Sequence, residues 1–228
     1  MNSFASPQIF TALPFSRTDT GKPPADDLYS RIFDAILEQR ISPSSRFTEE
    51  SLGHMFGVSR STVRRVLSRL SHQQVIILRP NQRPRVAAPT PEQTRQVLHA
   101  RRLSESTLVQ LACQRRHSGM LVKLRELAEE QRQCMERGLP GTAIRLSGEF
   151  HLQLANMADN APLAHFLGSL VPLTSLAIAQ FEHQPNSHCT WREHKTIVDA
   201  VESADVKAAV RLMSEHLDHL EQRLLQAR

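Results

Sequence analysis

The segment from Thr48 to Gln73 constrains the fold of this chain most, because its pattern is that of two short helices separated by a glycine. Thr48 followed by two glutamates is typical of a helix N-terminus, where a hydroxyl caps N–H groups and carboxylates oppose the helix dipole. Gly57 stands where a left-handed residue ends a helix. The second helix, from Ser59 to about Gln73, is apolar on one side and basic on the other. Two helices joined in this way indicate a helix-turn-helix.

A short β-hairpin is predicted directly after the second helix. Residues 75–79 are rich in β-branched side chains, Pro80 and Asn81 mark a turn, and residues 85–87 provide a returning strand. A helix-turn-helix followed by such a hairpin is a winged helix. The predicted wing carries Arg79, Arg83 and Arg85.

The net charge of the chain is concentrated in this predicted winged helix. Residues 1–89 hold 12 Lys/Arg against 7 Asp/Glu, whereas residues 90–228 hold 16 of each, so the whole formal charge of +5 lies in the N-terminal part. Between Glu50 and Glu92 there are seven arginines and no acidic residue. Such a surface is suited to DNA phosphates. The alternatives are a solvated basic face or a winged helix that binds protein.

The predicted second helix also indicates the DNA contacts. The N-terminal positions of a recognition helix reach base edges best. Arg60 and Arg64 lie one turn apart on the same face there, and either fits a bidentate contact to guanine. The later arginines and those of the wing fit phosphates, which set affinity and register but not sequence. The predicted DNA-binding residues are Ser59, Arg60, Ser61, Thr62, Arg64, Arg65, Arg69, Arg79 and Arg83.

Two segments precede the helix-turn-helix in the sequence. Residues 1–24 are rich in Ser, Thr and Pro without a sustained period, and we expect a disordered tail. The winged helix is predicted to span residues 25–88. It begins with a helix that Asp26 or Asp27 caps and Pro43 ends.

The C-terminal part is predicted to be a separate, entirely helical domain. Residues 89–91 form a proline-containing linker, and residues 92–228 follow as the second domain. Thr190 and Glu193 have the spacing of a capping box. The fold class is therefore mostly α, a winged helix-turn-helix followed by a bundle of six to seven helices. The helices are expected at about 92–116, 119–137, 142–158, 162–181, 191–202 and 206–227.

Composition argues against several classes of protein. The three cysteines are widely spaced and form no Cys-x-x-Cys pair, so neither a disulfide framework nor a cysteine zinc site is indicated. The N-terminus lacks the pattern of a secretory signal. No apolar run approaches the roughly 20 residues that a membrane span needs. We therefore expect a cytoplasmic protein without membrane contact.

Three histidines recur on the apolar sides of three predicted helices. They are His151, His194 and His216. A bundle that turns these sides inward brings the imidazoles together, and neutral imidazoles bind divalent transition metals, with zinc or nickel favoured here. The alternative for each histidine is a hydrogen-bonded core residue, and His219 is an alternative ligand. A metalloenzyme would need a base near the metal, and no His-Glu-x-x-His motif provides one.

Arg101 and Glu105 lie in the middle of an inward-facing apolar stripe, one turn apart. A buried guanidinium is costly unless it is paired. The two residues therefore form either a structural ion pair or part of a pocket that binds a carboxylate effector.

The N-terminal residues resemble the DNA-binding domain of GntR-type bacterial transcription regulators. The most specific part is the Val-Ser-Arg-x-x-Val-Arg segment that ends at Arg64. The resemblance gives Arg60 and Arg64 base- and phosphate-contacting roles. The wing departs from the common Arg-Pro-Asn-Arg-Gly pattern, since Gln82, Arg83 and Pro84 follow Asn81. The other matching stretches are Leu28–Ile32, Phe47–Glu50 and Leu78–Asn81.

The later helices resemble the FCD ligand-binding domain of the FadR-like branch of that family. Matching pieces are Phe150-His151-x-x-Leu154, Glu193-His194-x-x-Ile197 and Asp205-x-x-x-Ala209 followed by Met213 and His216. The resemblance implies that the three histidines bind a divalent metal. It also places Ser147 where many members carry an aspartate ligand, and an arginine matching Arg101 on the effector pocket. The effector residues predicted are Arg101, Glu105 and Ser147.

These expectations define a function. We expect a homodimer that binds a two-fold DNA operator and responds to a small effector, most simply a repressor released by a carboxylate metabolite. The alternatives are a regulator for which the metal is the signal and a three-histidine metalloenzyme.

Overall fold

The computed structural model describes residues 24–115, 117–181 and 190–226, so the predicted tail lies outside the described residues except for Pro24. Strands β1 and β2 pair antiparallel, with Ile76 opposite Val86. Three helices and this hairpin make a winged helix-turn-helix, as predicted. The elements are α1 (Pro24–Leu37), α2 (Glu49–Phe56), α3 (Arg60–His72), β1 (Ile76–Ile77) and β2 (Arg85–Val86).

Local signals in the sequence place the two helices of the helix-turn-helix. The Thr48 hydroxyl accepts a hydrogen bond from the N–H of Ser51 at 3.0 Å, and the Ser51 hydroxyl accepts one from the N–H of Thr48 at 2.9 Å. Gly57 ends α2 with a φ of 68°, which costs a glycine little. Ser59 caps α3 through the N–H of Thr62 at 3.2 Å. The predicted caps at Thr48 and Ser59 and the left-handed glycine are confirmed.

The predicted limits of the first helix are wrong at both ends. Asp26 and Asp27 lie inside α1 rather than capping it, and α1 ends at Leu37, well before Pro43. The chain turns because Gln39 adopts a left-handed φ of 59° and the N–H of Ile41 bonds to the Ala35 carbonyl at 3.0 Å. This turn returns the apolar Ile41 side chain to the core, where it is 4% exposed. Tertiary packing therefore ends the helix before the proline does.

Among the described residues, six helices form the C-terminal domain, and their ends agree with the predicted ones within two residues. Helix α4 packs against α7 and α9, while α6 lies between α5 and α7. Buried side chains from all six helices fill the bundle. The helices are α4 (Pro91–Gln114), α5 (Ser118–Glu136), α6 (Pro140–Met157), α7 (Ala161–Phe181), α8 (Thr190–Glu202) and α9 (Val206–Gln226).

Helix α7 is long and apolar enough to cross a membrane by length and composition alone, contrary to the expectation that no segment approaches that limit. Its apolar character has a simpler cause in the fold. Leu167, Val171 and Leu176 are buried in the bundle, and a core helix of a water-soluble bundle has the same composition. The composition of α7 is therefore weak evidence for a membrane span.

The capping box predicted at the start of α8 is absent. Glu193 does not turn back to the helix N-terminus, because its carboxylate accepts hydrogen bonds from His216 and His219 of α9. Thr190 is the first residue of α8, and its hydroxyl accepts a hydrogen bond from Gln131 of α5 at 2.7 Å. Partners from distant parts of the sequence therefore override the local motif.

The winged helix is docked on the helical domain through α1, which packs against α6 and α7. The Asp34 carboxylate accepts hydrogen bonds from Arg145 Nε at 2.6 Å and from the Thr142 hydroxyl at 3.0 Å. Gly141 lets the two backbones approach closely. A Cβ atom at this position would lie 3.0 Å from the Asp34 carbonyl oxygen and 2.5 Å from Cγ of Glu38.

We expect Gly141→Ala to lower the free energy of unfolding by about 1–3 kcal/mol, because the added methyl group has no room at this contact. The matched control is Gly119→Ala. Gly119 is also the second residue of its helix, but it is exposed and has nothing within 4 Å of a Cβ position. That change should be neutral or stabilising by less than about 1 kcal/mol. Urea unfolding measures both values, and equal effects would contradict close packing at Gly141.

Candidate functional site

The N-terminus of α3 presents a cluster of hydroxyl groups and arginines on the surface of the winged helix. Ser59, Ser61 and Thr62 gather there, with the Ser59 hydroxyl 2.9 Å from that of Ser61 and 2.8 Å from that of Thr62. Arg60, Arg64 and Arg65 are exposed, so all three are accessible to a partner. The opposite side of the helix is buried against α1, as the periodicity predicts.

A carboxylate joins the two leading arginines of α3. Glu49 accepts hydrogen bonds from Arg60 Nε at 2.8 Å and from Arg64 Nε and Nη2 at 2.9 and 2.8 Å. Hydrogen bonds from Arg64 and Arg60 lower the pKa of Glu49 to about 2, so the carboxylate is charged at neutral pH. The expectation of an arginine surface without acidic neighbours is therefore incomplete. Glu49 precedes the acid-free segment in the sequence, but the packing of α2 on α3 brings its carboxylate into contact with Arg60 and Arg64.

Arg69 differs from the other arginines of the recognition helix. Its guanidinium carbon lies 4.0 Å from the centre of the Tyr29 ring of α1, a cation–π contact within the domain. Burial raises the pKa of Tyr29 to about 12, and the phenol donates a hydrogen bond to Gln73 at 2.8 Å. The phosphate-contacting role predicted for Arg69 therefore competes with a packing role.

The wing places its arginines around one groove. The groove has a volume of about 320 Å³, and its walls include Arg79, Arg83 and Arg85. Asn81, at the tip, has a left-handed φ of 57°. Asparagine adopts this conformation more readily than most residues, so the turn forms without the glycine common in related wings.

Helices α6, α8 and α9 bring together the three predicted histidines. His151, His194 and His216 are 2%, 0% and 2% exposed, and one ring nitrogen of each lies within 4.8 Å of the others. The His194 ring stacks on Phe150 with 4.0 Å between ring centres. His219 is 54% exposed and lies outside this cluster.

A separate acceptor holds the Nδ1 atom of each imidazole. His151 donates to Glu105 at 2.5 Å, His194 to the Gln131 side-chain carbonyl at 3.0 Å and His216 to Glu193 at 2.6 Å. Because carboxylate and amide oxygens only accept, each Nδ1 carries the proton. When the rings are neutral, each Nε2 therefore has a free electron pair. This arrangement is that of histidines oriented for a metal.

Burial favours neutral rings at His151 and His194, while the neighbouring carboxylates are charged. Burial lowers the pKa of His151 to about 4 despite the opposing charge of Glu105, and burial also holds the pKa of His194 well below its ordinary value. Burial alone would raise the pKa of Glu105, but the charge of Arg101 and the hydrogen bond from His151 outweigh it and bring the pKa to about 2. In the same way, hydrogen bonds from His216 and His219 outweigh burial and lower the pKa of Glu193 to about 2.

The donor atoms fit a divalent cation. The Nε2 atoms of His151 and His216 lie 3.3 Å apart, so two electron pairs face each other unless a positive charge lies between them. Two nitrogens bound at about 2.0–2.1 Å to tetrahedral zinc are also roughly 3.3 Å apart. Nε2 of His194 is buried and has no hydrogen-bond partner among the described residues. A buried polar atom without a partner is costly, which a bound cation would relieve.

Arg101 and Glu105 form the buried ion pair considered from the sequence, with 2.7 Å between Arg101 Nε and the Glu105 carboxylate. The other carboxylate oxygen of Glu105 faces His151. Glu105 therefore holds Arg101 and His151 in place instead of taking the predicted effector-binding role. Arg101 is different, because it lines the cavity described next and its buried Nη2 atom has no hydrogen-bond partner among the described residues. Arg101 therefore belongs to the structural ion pair and also lines the cavity.

A cavity of about 230 Å³ adjoins the histidines. Arg101, Ser147, His151 and His216 line it, whereas Glu105 and His194 do not contribute to its wall. Part of the wall comes from the DNA-binding half of the chain, at the C-terminal end of α1. These wall residues are Leu37, Glu38 and Gln39.

Sequence reasoning missed several supporting residues. Gln131 follows Leu124 and Ala128 at helical spacing on α5, so a polar residue within an apolar stripe was a usable signal. Gln131 is 4% exposed and connects His194 to Thr190. The contributions of Glu38 and Gln39 had no local signal, because they depend on how the two domains pack.

Two family models match the chain. The FCD domain matches residues 96–219, and the gntR family of bacterial regulatory proteins matches residues 24–86. The chain belongs to the GntR family. It is a transcription regulator of the branch with an FCD domain, and members of this family are DNA-binding regulators rather than enzymes. The family assignment drawn from the sequence motifs is confirmed.

Relatives match over most of their length. The HTH-type transcriptional repressor RspR of Escherichia coli strain K12 is 23% identical over 208 residues, covering 91% of each chain. The Uxu operon transcriptional regulator of the same organism is 24% identical, and the match covers 89% of this chain and 87% of that regulator.

Solved structures share the fold. E. coli McbR/YncC superposes with a TM-score of 0.73 at 18% identity, covering 89% of this chain and 97% of that one. A GntR regulator from Rhodococcus sp. RHA1 superposes with a TM-score of 0.72 at 20% identity, covering 90% and 98%. These TM-scores show a common architecture, a winged helix followed by a helical domain.

Proposed function

We propose that this GntR regulator binds a two-fold operator as a homodimer and releases it when a small carboxylate effector enters the helical domain. The observation that carries the effector proposal is the unpartnered Arg101 Nη2 atom on the wall of a cavity beside three converging imidazoles. The relative RspR is named a repressor, which favours repression over activation. Because the target is DNA of the bacterial chromosome, we place the protein in the cytoplasm.

The proposed DNA-binding residues are those predicted from the sequence, with Arg60 in the leading role. A homodimer would present two copies of α3 to two half-sites, since two-fold protein symmetry requires a two-fold site. Ser59, Ser61 and Thr62 would contact the backbone or base edges near the start of α3. Arg65, Arg79 and Arg83, all exposed, would neutralise phosphates.

We propose that His151, His194 and His216 hold one divalent metal ion, with zinc or nickel favoured by the imidazole set. When bound, the ion supplies a positive charge that attracts an oxygen of the effector. Ser147 lies on the cavity wall, at the position where the resemblance to FCD domains implies an aspartate in many members. Its neutral hydroxyl leaves the positive charge of the ion less balanced than a carboxylate would, which favours an anionic effector.

Arg101 indicates the chemistry of the effector. A buried guanidinium nitrogen that lacks a partner is suited to a carboxylate oxygen. The cavity of about 230 Å³ is smaller than the roughly 300–1,000 Å³ typical of drug-sized ligands, so a compact acid fits best. This polar anchor favours an organic effector over a regulator for which the metal alone is the signal.

The cavity wall indicates how the effector reaches the DNA-binding domain. Leu37 is the last residue of α1, and Glu38 and Gln39 follow it directly. Helix α1 is tied to α6 through Asp34 and Arg145. An effector that favours one arrangement of these contacts shifts the winged helix relative to the bundle, and only by its difference in affinity for the two arrangements.

Arg60→Ala should weaken binding to the preferred duplex by about 1–3 kcal/mol, because a base contact is lost. The duplex is one enriched by the wild-type protein from a randomised pool, and fluorescence anisotropy measures its affinity. The control is Arg211→Ala, which removes an equally exposed arginine that pairs with Glu215 on α9. Unchanged affinity in the Arg60 variant would rule out its base-contacting role.

His216→Ala should reduce nickel or zinc affinity by more than about tenfold, because one imidazole donor is lost. Calorimetric titration of chelator-treated protein measures this affinity. His219→Ala is the matched control, since His219 shares the Glu193 carboxylate but is 54% exposed. An unchanged affinity in the His216 variant would show that the metal is held elsewhere, and an equal loss in the His219 variant would contradict the choice of His216 over His219.

Arg101→Gln should reduce the affinity of a stabilising carboxylate by at least about tenfold, because a hydrogen bond to a charged group is lost. A panel of small mono- and dicarboxylic acids is screened by the rise in melting temperature, and the best is titrated. Arg102→Gln is the control, since Arg102 is the next residue of α4 but pairs with Asp218 and Glu221 of α9. Similar losses in both variants would contradict the role of Arg101.

A further inference from the structure

The ion pair between Glu49 and the two leading arginines of α3 leaves their guanidinium groups unequal. Glu49 engages only Nε of Arg60, so both terminal nitrogens of Arg60 stay outside the pair. In Arg64 the carboxylate engages Nε and Nη2 together, which leaves Nη1 as the terminal nitrogen outside it. The two arginines therefore enter DNA recognition with different numbers of available donors.

This difference separates their chemistry. A specific arginine contact to guanine uses two N–H donors directed at O6 and N7. Arg60 retains such a pair at its tip. Arg64 keeps three of its five N–H groups, and two hydrogen bonds to Glu49 hold it where a single one holds Arg60, so Arg60 is the freer of the two to reach a base. The geometry thereby distinguishes two residues that the helical wheel treats as equivalent.

Glu49 also reduces the charge that unrelated DNA would meet. The affinity for DNA of any sequence depends on how many phosphates are neutralised by cationic side chains. Two arginines and one carboxylate present a net charge of +1 rather than +2. The side chain of Glu49 is 21% exposed, against 68% and 62% for Arg60 and Arg64. It therefore lies beneath the arginines, where it can hold them without covering their tips.

The stability of the fold does not depend on this ion pair, because exposed ion pairs contribute little to stability. Glu50 provides an internal comparison. It is the next residue, lies in the same first turn of α2 and is exposed, and it forms no ion pair among the described residues. The two glutamates share charge and position at the helix dipole but differ in contact with α3.

We propose that Glu49 is a positioning residue that determines DNA specificity, since it orders Arg60 for a base contact and opposes binding to phosphates of unrelated DNA. This inference rests on the proposed function as an operator-binding regulator. It assigns to Glu49 a role in the ratio of specific to non-specific affinity rather than in affinity alone.

The test compares the full-length wild type with Glu49→Gln and Glu50→Gln. The duplex enriched by the wild type and a shuffled duplex of the same composition are titrated by anisotropy between 50 and 200 mM salt, the range over which phosphate contacts change affinity strongly. In Glu49→Gln we expect tighter binding to the shuffled duplex, weaker binding to the enriched one, and a specificity ratio at least about tenfold lower, the scale of one lost bidentate contact. In Glu50→Gln both affinities should rise by the same factor, with the ratio unchanged.

A second variant separates position from charge. Glu49→Asp keeps the charge but shortens the side chain, so one carboxylate no longer reaches both arginines. Its specificity ratio should fall while its affinity for the shuffled duplex stays at the wild-type value. Melting temperatures of all variants check that the fold is retained.

Three outcomes overturn the inference, and they differ in what else they overturn. If the wild type enriches a duplex but both Glu49 variants keep the wild-type ratio, only the role of Glu49 is wrong. If Glu49→Gln and Glu50→Gln change the ratio equally, the effect is one of general charge and the positioning role is again wrong. If the wild type enriches no duplex, the proposed operator-binding function is wrong and this inference with it.

Discussion

The burial of helix α6 on both sides is the constraint on which this structure depends. One side carries Gly141 and Arg145 and packs against α1 of the winged helix, while the other carries Ser147 and His151 and faces the cavity. A rigid helix transmits a displacement along its length, and packed interfaces change between discrete arrangements rather than deforming continuously. The same helix therefore lines the cavity and contacts the DNA-binding domain.

The second constraint is that charged groups in the helical core must be satisfied. Arg101, Glu105 and His151 form a connected chain in which each residue is 2% exposed or less. Breaking one member would leave another as an unpaired buried charge, which is strongly destabilising. Glu105 fixes the imidazole through Nδ1, and Arg101 keeps Glu105 ionised. The orientation of the His151 ring and the position of the Arg101 Nη2 atom are thus consequences of one buried network.

Much of the fold could be predicted because its signals are local. Apolar residues at helical spacing located all six helices of the C-terminal domain, and the caps at Thr48 and Ser59 located the helix-turn-helix. The histidines could be found as candidates because a polar residue within an apolar stripe is conspicuous. The same criterion applied to Gln131 would have found one of the three residues that hold the imidazoles. The end of α1 could not be predicted, because the return of Ile41 to the core decided it rather than Pro43.

The sequence by itself determined the elements, the charge asymmetry and the family, because helix periodicity, capping residues and the motif around Arg60 act over a few neighbouring residues. Only the tertiary structure decided which side chains meet. It brought Glu49 to Arg60 and Arg64, Glu193 to His216, and Glu38 to the wall of the cavity. These pairs are separated by 11 or more residues along the chain, and their contact depends on helix packing angles that a one-dimensional pattern does not contain.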